Sequence, residues 1–589
     1  MTIYKSHWPS ATPSNVRHPS LQRTPLPPHP ILTFFSPLQD GVFDFLFTNN
    51  PTYTPSRAAI IDAATGVQTT YAELKEESLR FSDGLRRIAR LSSDDTILIF
   101  SPNSSLYPII SLAAVASSIT ISTANSSYTP HELAHQLSEA SAVLMLVGSD
   151  LIDVAVAAAK EVGMSEDRIY VLPGVDGTVA AKGLRSYLEL RGEVVKPVAI
   201  RETELKTRAA FLPFSSGTTS KPKGVEISHS NLTSACRQLQ SIPELYHTSE
   251  VVMGVLPLYH IYGLVVVMAV TFATGGTVVL LPKFDLAAYC SAVQKYRATV
   301  RPHFAHPQTS FHSNNFDLQI SFIVPPIALG LAKHPSVPSY DLSSIRFILS
   351  GAAPLSADLQ SLLASRLGKT AVIQGYGMTE TTSVALLPDL GDLGPFGNCG
   401  KLLPGMDARL VDEELKDVKE GEAGELLIRG PNIMIKYHKN DEATARTIDK
   451  DGWMMTGDVC VRSATGHYTI VDRRKEFMKY KGFQVIPSEL EGILLSCPMV
   501  ADAAVIGVWS EEQATELPRA YVVIDAAHIN TKDVCLAIQN FVKGKVAPHK
   551  RLRGGVITMD VIPKSPSGKI LRKDLRVLAA QETTTAAKL

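Results

Sequence analysis

The sequence predicts an α/β protein in two parts: a large N-terminal domain of doubly wound β-sheets with flanking helices, and a small α+β C-terminal domain. Three observations carry this. The 589 residues exceed what one hydrophobic core holds. From about Ile31 to Asp472, apolar β-type runs alternate with segments of helical period, the pattern of parallel strands joined by covering helices. Past Asp472 the order becomes mixed and the connections short. The expected division is a disordered Pro-rich arm over 1–30, a large domain over 31–472, a small domain over 473–580 and a tail over 581–589.

Each element rests on local chemistry. Met1–Gln39 has no acidic residue and many prolines, and lacks the apolar run of a secretory signal, which predicts a structureless arm. Phe211–Phe214 reads as a strand end. It leads into Ser215-Ser-Gly-Thr-Thr-Ser-Lys-Pro-Lys-Gly224, where hydroxyls, glycines and two ammonium groups crowd together. Backbone N–H groups, hydroxyls and lysines around glycines make a concave anion site suited to a polyphosphate. It is not a Walker loop, because no Gly-Lys-Ser/Thr follows. A polar surface loop is the bland alternative.

Val251–Pro282 carries no charged residue, but Gly254, Pro257, Gly263, Gly275 and Gly276 cut it into pieces too short to span a bilayer. Arg301–Ile320 lacks periodicity, and its His303, His306 and His312 match no ligand spacing, so a solvated loop is expected. Ser356–Gly368 predicts a helix capped by Ser356 and ended by Gly368, with Leu359, Leu362, Leu363 and Leu367 on one face. The flanking strands Arg346–Leu349 and Ala371–Gln374 should run parallel, placing the loops after Ser350 and Gly375 where a ligand binds. The small domain should contain a helix from Pro487 to about Leu495, strands Ala503–Val508 and Arg519–Ile524, and a helix Thr531–Val542.

Lys+Arg and Asp+Glu both number 57, so nothing in the charge points to nucleic acid or an anionic membrane. The six cysteines are scattered, without a CxxC, and read as reduced, buried thiols. No Gly-x-Ser-x-Gly elbow is present to anchor a serine hydrolase. The ending Ala587-Lys588-Leu589 is of the peroxisomal address type and predicts a peroxisomal import receptor as partner, with the cytoplasm as alternative location. The polar stretch Gln581–Ala586 is expected to leave it accessible.

Seven motifs occur in order: Phe214–Val225, Leu256-Pro-Leu-Tyr-His-Ile-Tyr-Gly263, Gln374-Gly-Tyr-Gly-Met-Thr-Glu380, Gly424–Pro431, Gly452-Trp-Met-Met-Thr-Gly-Asp458, Val471–Gln484 and Pro566-Ser-Gly-Lys569. Together they resemble the motif set of the adenylate-forming (AMP-binding) acyl-CoA synthetases, in particular the 4-coumarate–CoA ligase branch, over roughly Tyr53 to Arg572. The resemblance implies an acid–thiol ligase. A carboxylate attacks the α-phosphate of ATP to give acyl-AMP and pyrophosphate, and coenzyme A then displaces AMP.

By the same resemblance, Ser215, Ser216, Gly217, Thr218, Thr219 and Lys223 hold the β- and γ-phosphates. Gln374, Gly375 and Thr379 contact the adenylate, Tyr376 stacks on adenine, and Glu380 is the Mg²⁺ ligand. Asp458 takes the ribose hydroxyls, with Arg473 beside it and Lys475 and Lys479 nearby. Lys569 is the catalytic cation, bridging carboxylate and α-phosphate, and His260 gates the acyl site. Lys475 sits at the pivot of a mobile small domain, and Lys283, Lys481 and Gly482 meet coenzyme A after it turns. Tyr262, Ala352, Gly377, Ser383 and Val384 form the acyl pocket. Their small, apolar character, with no buried cation for a second carboxylate, predicts a hydrophobic monocarboxylic acid, aryl or aliphatic.

Lys436 stands where the family usually has glycine, and Ser126 where it usually has proline. Arg301–Ile320 has no counterpart there. Val300-Arg301 fits a GT-purine-AG donor and Gln319 a CAG acceptor, which predicts retained intron sequence, a genuine insertion being the alternative. Finding the segment in every mature transcript would refute the intron. Two rival readings share the motifs: loading of a carrier protein, for which no carrier serine motif follows Arg572, and a non-catalytic nucleotide-binding paralogue, which should have lost Lys569, Glu380 or Asp458.

Overall fold

The computed structural model describes residues 3–5, 40–48, 52–174, 182–215, 222–242, 245, 250–296, 319–481, 483–513, 515–529, 532–565 and 568–586. Among these, two large, mainly parallel sheets form the body of the molecule. One, of seven strands, runs in the order Ala371–Gln374, Ile345–Ser350, Gln319–Ile323, Val251–Gly254, Thr277–Leu280, Ala58–Asp62 and Gln68–Thr70; only the last pair is antiparallel. The other, of nine strands, has Thr96–Phe100 at its centre between Thr120–Ala124 and Ala142–Gly148. Its far edge turns antiparallel, with Lys223–Ser228 lying against Ala209–Phe211 and Phe214–Ser215. The strands are near-continuous apolar runs because helices cover both faces of such sheets.

The helix over Ala357–Leu367 forms for the predicted local reasons. The Ser356 hydroxyl accepts from the Leu359 N–H at 3.3 Å, and Gly368 leaves the helix at φ 69°. Its flanking strands pair in parallel, Phe347 opposite Ala371. The charge-free segment forms a buried strand, Val251–Gly254, a helix whose first turns over Gly263–Ala269 are wound wide, and a second strand, Thr277–Leu280. Among the described residues no helix is long and apolar enough to cross a membrane.

Four expectations are corrected. Tyr4 and Lys5, expected in a structureless arm, form an edge strand against Asp407 and Ala408, with the Arg462 guanidinium over the Tyr4 ring at 4.3 Å. The end of the large domain does not alternate strand and helix. It is an antiparallel sheet of Asp407–Val411, Ala423–Arg429, Met454–Arg462 and Tyr468–Arg473; the links over 412–422 and 463–467 are too short for crossovers, and the longer link over 430–453 also returns antiparallel. Gln319 and Ile320, placed in the loop Arg301–Ile320 by the sequence, open the central strand Gln319–Ile323, where Ile320 to Ile323 are all buried; the rest of that segment lies outside the described residues. Gln581–Ala586 belongs to the helix Arg572–Ala586 and is not a tail, while Ala587–Leu589 lies outside the described residues.

Apolar clustering separates after Arg473. The large core draws on residues 42–468, whereas the two small clusters beyond it draw on residues 478–579. In the small part, the helix Pro487–Leu495 packs on a long hairpin of Val500–Ser510 and Thr515–Ile524, both longer than the sequence indicates. Lys333 ties the two parts, donating to the carbonyls of Leu495 at 3.1 Å and Val500 at 3.4 Å.

At the base of the seven-stranded sheet, Glu250 is buried against Arg346 at 2.7 Å, and burial pushes its carboxyl up to about 8. Replacing Arg346 with alanine is expected to cost about 3 kcal/mol, because a buried acid loses its partner. The cost should grow above about pH 8. Up to there the wild-type carboxyl also keeps its proton, so both proteins lose stability alike as pH rises past the ordinary carboxylate range; above it only the wild type ionises Glu250, with Arg346 to receive the charge. Urea unfolding at pH 7 and pH 9 measures this; equal losses at both would refute it.

Candidate active site

A cavity of about 700 Å³ opens at the carboxyl ends of the seven-stranded sheet. Strand Val251–Gly254 leads to His260 and Tyr262, strand Ile345–Ser350 to Gly351 and Ala352, and strand Ala371–Gln374 to Gly375–Glu380. The antiparallel sheet contributes Met455–Gly457 and Arg473, the linking segment Lys475, and the small part Lys569. Of the predicted residues, Ser215, Lys223, His260, Tyr262, Ala352, Gly375, Tyr376, Gly377, Thr379, Glu380, Ser383, Val384, Arg473, Lys475 and Lys569 line this one space.

Lys569 arrives on a turn built for it. Gly568 adopts φ 80°, and a Cβ there would meet the Pro326 ring at 3.0 Å, so only glycine lets the loop close onto the large domain. The Ser565 hydroxyl accepts from the Lys569 N–H at 3.1 Å. Three residues on, Arg572 pairs with the buried Glu491 at 2.8 Å and fixes the loop's end. Burial, together with the nearby Arg473 and Lys475, pulls the Lys569 ammonium down to about 7, against the opposing charges of Asp458 and Glu476. Burial and Lys569 likewise pull His260 down to about 4, so its imidazole is neutral, and its Nδ1 lies 3.3 Å from the Tyr262 N–H.

Tyr376 and Asp458 meet directly: the phenol donates to the carboxylate at 2.7 Å, and Arg473 Nε lies 3.3 Å from the other oxygen. Burial raises the Asp458 carboxyl, while Arg473 and the phenol hold it down. Asp458 therefore lies behind Tyr376. Gln374 also stands behind the cavity. Its side chain accepts from the Leu355 N–H and donates to the Gly397 carbonyl at 3.2 Å, so it braces two loops where the sequence reading had it contact a nucleotide.

Glu380 is buried, and its Oε1 accepts from the Tyr437 hydroxyl at 2.8 Å. Among the described residues it has no ion pair. A buried carboxylate without a cation, facing a cavity, fits a metal ion. No group of three or more metal-ligating side chains occurs among the described residues, so most of the ion's oxygens would come from a phosphate-bearing ligand and water, the habit of Mg²⁺.

The other half of the cavity is apolar. Tyr262 gives its hydroxyl to the Leu349 carbonyl at 2.8 Å and turns its ring inward. Ala352 and Ser383, which line this half, and Thr382 next to Ser383 in the chain hold φ values of 68°, 85° and 49°, strained for non-glycine residues.

Lys283, Lys479 and Lys481 are exposed and do not line the cavity in this arrangement. Lys481 sits at φ 47° in the turn of the Met478–Tyr480 and Phe483–Val485 hairpin, its N–H donating to Thr515 at 2.7 Å. Ser216, Gly217, Thr218, Thr219 and Gly482 lie outside the described residues. The sequence reading missed Tyr437, Arg446, Thr447 and Thr456. Tyr437 ends the segment where Lys436 breaks the usual pattern, and Thr456 sits inside a quoted motif; neither carries a signal of its contacts.

Two family models match the chain, "AMP-binding enzyme" over residues 47–438 and "AMP-binding enzyme C-terminal domain" over residues 489–569. Among curated proteins, a probable 4-coumarate–CoA ligase 2 of Dictyostelium discoideum is 36% identical over 547 residues, covering 89% of this chain and 92% of its own. The 4-coumarate–CoA ligase 1 of Petroselinum crispum is 35% identical over 532 residues, covering 89% and 91%. Among solved structures, ATP-bound MatB from Rhodopseudomonas palustris superposes with a TM-score of 0.78 at 27% identity, covering 92% of this chain and 99% of that one. A benzoate CoA ligase from Burkholderia xenovorans LB400 gives 0.77 at 25% identity, covering 91% and 100%.

Proposed function

The chain belongs to the AMP-binding enzyme family and is an ATP-dependent acyl-CoA ligase, and from that premise we propose that the acid it activates is a hydrophobic monocarboxylic one. The observation that carries this is the apolar half-cavity with Tyr262 as its wall, its phenol already bonded to Leu349. A second carboxylate there would find no cation among the described residues of that half and would lose its hydration. The cations stand at the opposite end, where the reacting carboxylate and the phosphates belong.

In this reading the Lys569 ammonium lies between the incoming carboxylate and the α-phosphate and stabilises the charge that builds between them. The neutral His260 beside it adds no further positive charge next to that cation. Lys223 and the loop before it hold the outer phosphates, and the walls from both parts of the chain exclude water from the mixed anhydride. Glu380 would hold Mg²⁺, which supplies charge neutralisation on the phosphates. Coenzyme A contact by Lys283, Lys481 and Gly482 requires a second arrangement of the small domain, because Lys481 here is exposed and does not line the cavity that takes Lys569.

The test is pyrophosphate release with ATP and Mg²⁺ across aryl and short- to long-chain aliphatic acids and diacids, with and without coenzyme A. Release confined to hydrophobic monoacids, with an acyl-CoA product, is expected. Faster turnover of a dicarboxylic acid would overturn the substrate class. Acyl-AMP formation with no transfer to coenzyme A would favour delivery to a carrier protein.

A further inference from the structure

We propose that Tyr437 is a positioning residue that sets both the Glu380 carboxylate and the Lys223 ammonium for the polyphosphate end of the substrate. The proposal rests on the ligase reading above and adds a residue that none of the seven motifs assigns to the site.

Two contacts converge on this side chain, and its backbone is held in place as well. Its hydroxyl donates to Glu380 Oε1 at 2.8 Å. Its ring lies under the Lys223 ammonium, 4.8 Å from Nζ to the centroid. Its backbone is fixed twice, by pairing with Val225 on the strand that carries Lys223 and by its N–H donating to the Thr444 hydroxyl at 3.0 Å. Strand Lys223–Ser228 therefore places the lysine directly and the carboxylate through the tyrosine, so the two groups keep a set spacing.

A hydrogen bond to an ionised carboxylate is stronger than a neutral one and holds the rotamer. With Oε1 occupied, Oε2 is the oxygen presented to a cation. The ring meanwhile holds the ammonium by its negative face without neutralising it, as an acidic partner would. A buried tyrosine that merely satisfies its hydroxyl would have no effect on metal affinity, and that difference makes the proposal testable.

Mn²⁺ binding is measured by electron paramagnetic resonance in the presence of α,β-methylene-ATP, which cannot lose pyrophosphate. The full-length protein, Tyr437→Phe, Glu380→Gln and the double variant are compared. AMP affinity and Tm serve as controls, because AMP lacks the outer phosphates. Tyr437→Phe should raise the Mn²⁺ dissociation constant about 5- to 10-fold, the effect of one charge-assisted hydrogen bond, with AMP affinity unchanged and only a small fall in Tm. In the Glu380→Gln background the same change should add nothing.

Wild-type Mn²⁺ affinity in Tyr437→Phe, or an equal loss in the Glu380→Gln background, overturns the positioning role while leaving the ligase reading intact. So does a fall in Tm and AMP affinity together, which marks a purely structural tyrosine. Failure of the wild-type protein to bind either Mn²⁺ with the analogue or AMP removes the ligase reading, and this proposal with it.

Discussion

Lys569→Met is expected to slow acyl-adenylate formation by about 10²- to 10³-fold, the usual effect of removing one preorganised charge from a developing anion. The same substitution should raise Tm. The ammonium is held down to about 7 in the folded chain, chiefly by burial and then by Arg473 and Lys475. Between about 7 and the ordinary lysine value of 10.5, the unfolded chain binds a proton that the folded chain does not. Stability therefore rises with pH across that window, and below it the buried charge is a full penalty, which methionine removes. Catalysis has the opposite sign. The free enzyme needs Lys569 charged, so kcat/KM should fall as pH rises through about 7, while phosphate binding moves the corresponding limb of kcat higher. Calorimetry and pre-steady-state pyrophosphate release across pH 6 to 9 measure both. An unchanged Tm, or the same limb in Lys569→Met, would remove Lys569 from this role.

Gly377→Ala should be the most damaging single-methyl change at the site. A Cβ at Gly377 would sit 1.6 Å from the Ser383 carbonyl oxygen and 2.8 Å from Val384 Cα, both backbone atoms of the partner strand. The neighbouring turn has little room to yield, because Thr382 and Ser383 already hold φ values of 49° and 85°. A loss of about 3 kcal/mol or more is expected from such overpacking. The KM for the acid should rise at least about tenfold, since the displaced strands carry Ser383 and Val384 into the apolar half-cavity. AMP affinity should change less. Denaturant unfolding and separate titrations of acid and AMP distinguish these; wild-type stability would show that the two strands separate freely.

The sequence by itself determined the local elements and the identity of the chemistry. The helix Ala357–Leu367 follows from a serine, a leucine spacing and a glycine that act on one another within a few turns. The positive φ before Lys569 follows from Gly568, the residue that its own backbone demands. Many motif residues that line the cavity could be chosen in advance, though not Thr456, because adjacent residues of one loop keep their order whatever the loop packs against. Where Met478–Val485 forms a hairpin, Lys479 and Lys481 could be assigned a ligand but not a location.

Only the tertiary structure decided which groups touch. That Gln374 braces two loops, that Asp458 stands behind Tyr376, and that Tyr437 reaches Glu380 depend on sheet register between segments 23 to 82 residues apart. The reactivity of Lys569 was equally invisible in Pro-Ser-Gly-Lys. Its lowered affinity for a proton comes from desolvation and from charges brought to it by other strands. Backbone preference is a short-range property that the local sequence carries, whereas desolvation and Coulomb energy depend on distances that exist only once the chain has folded.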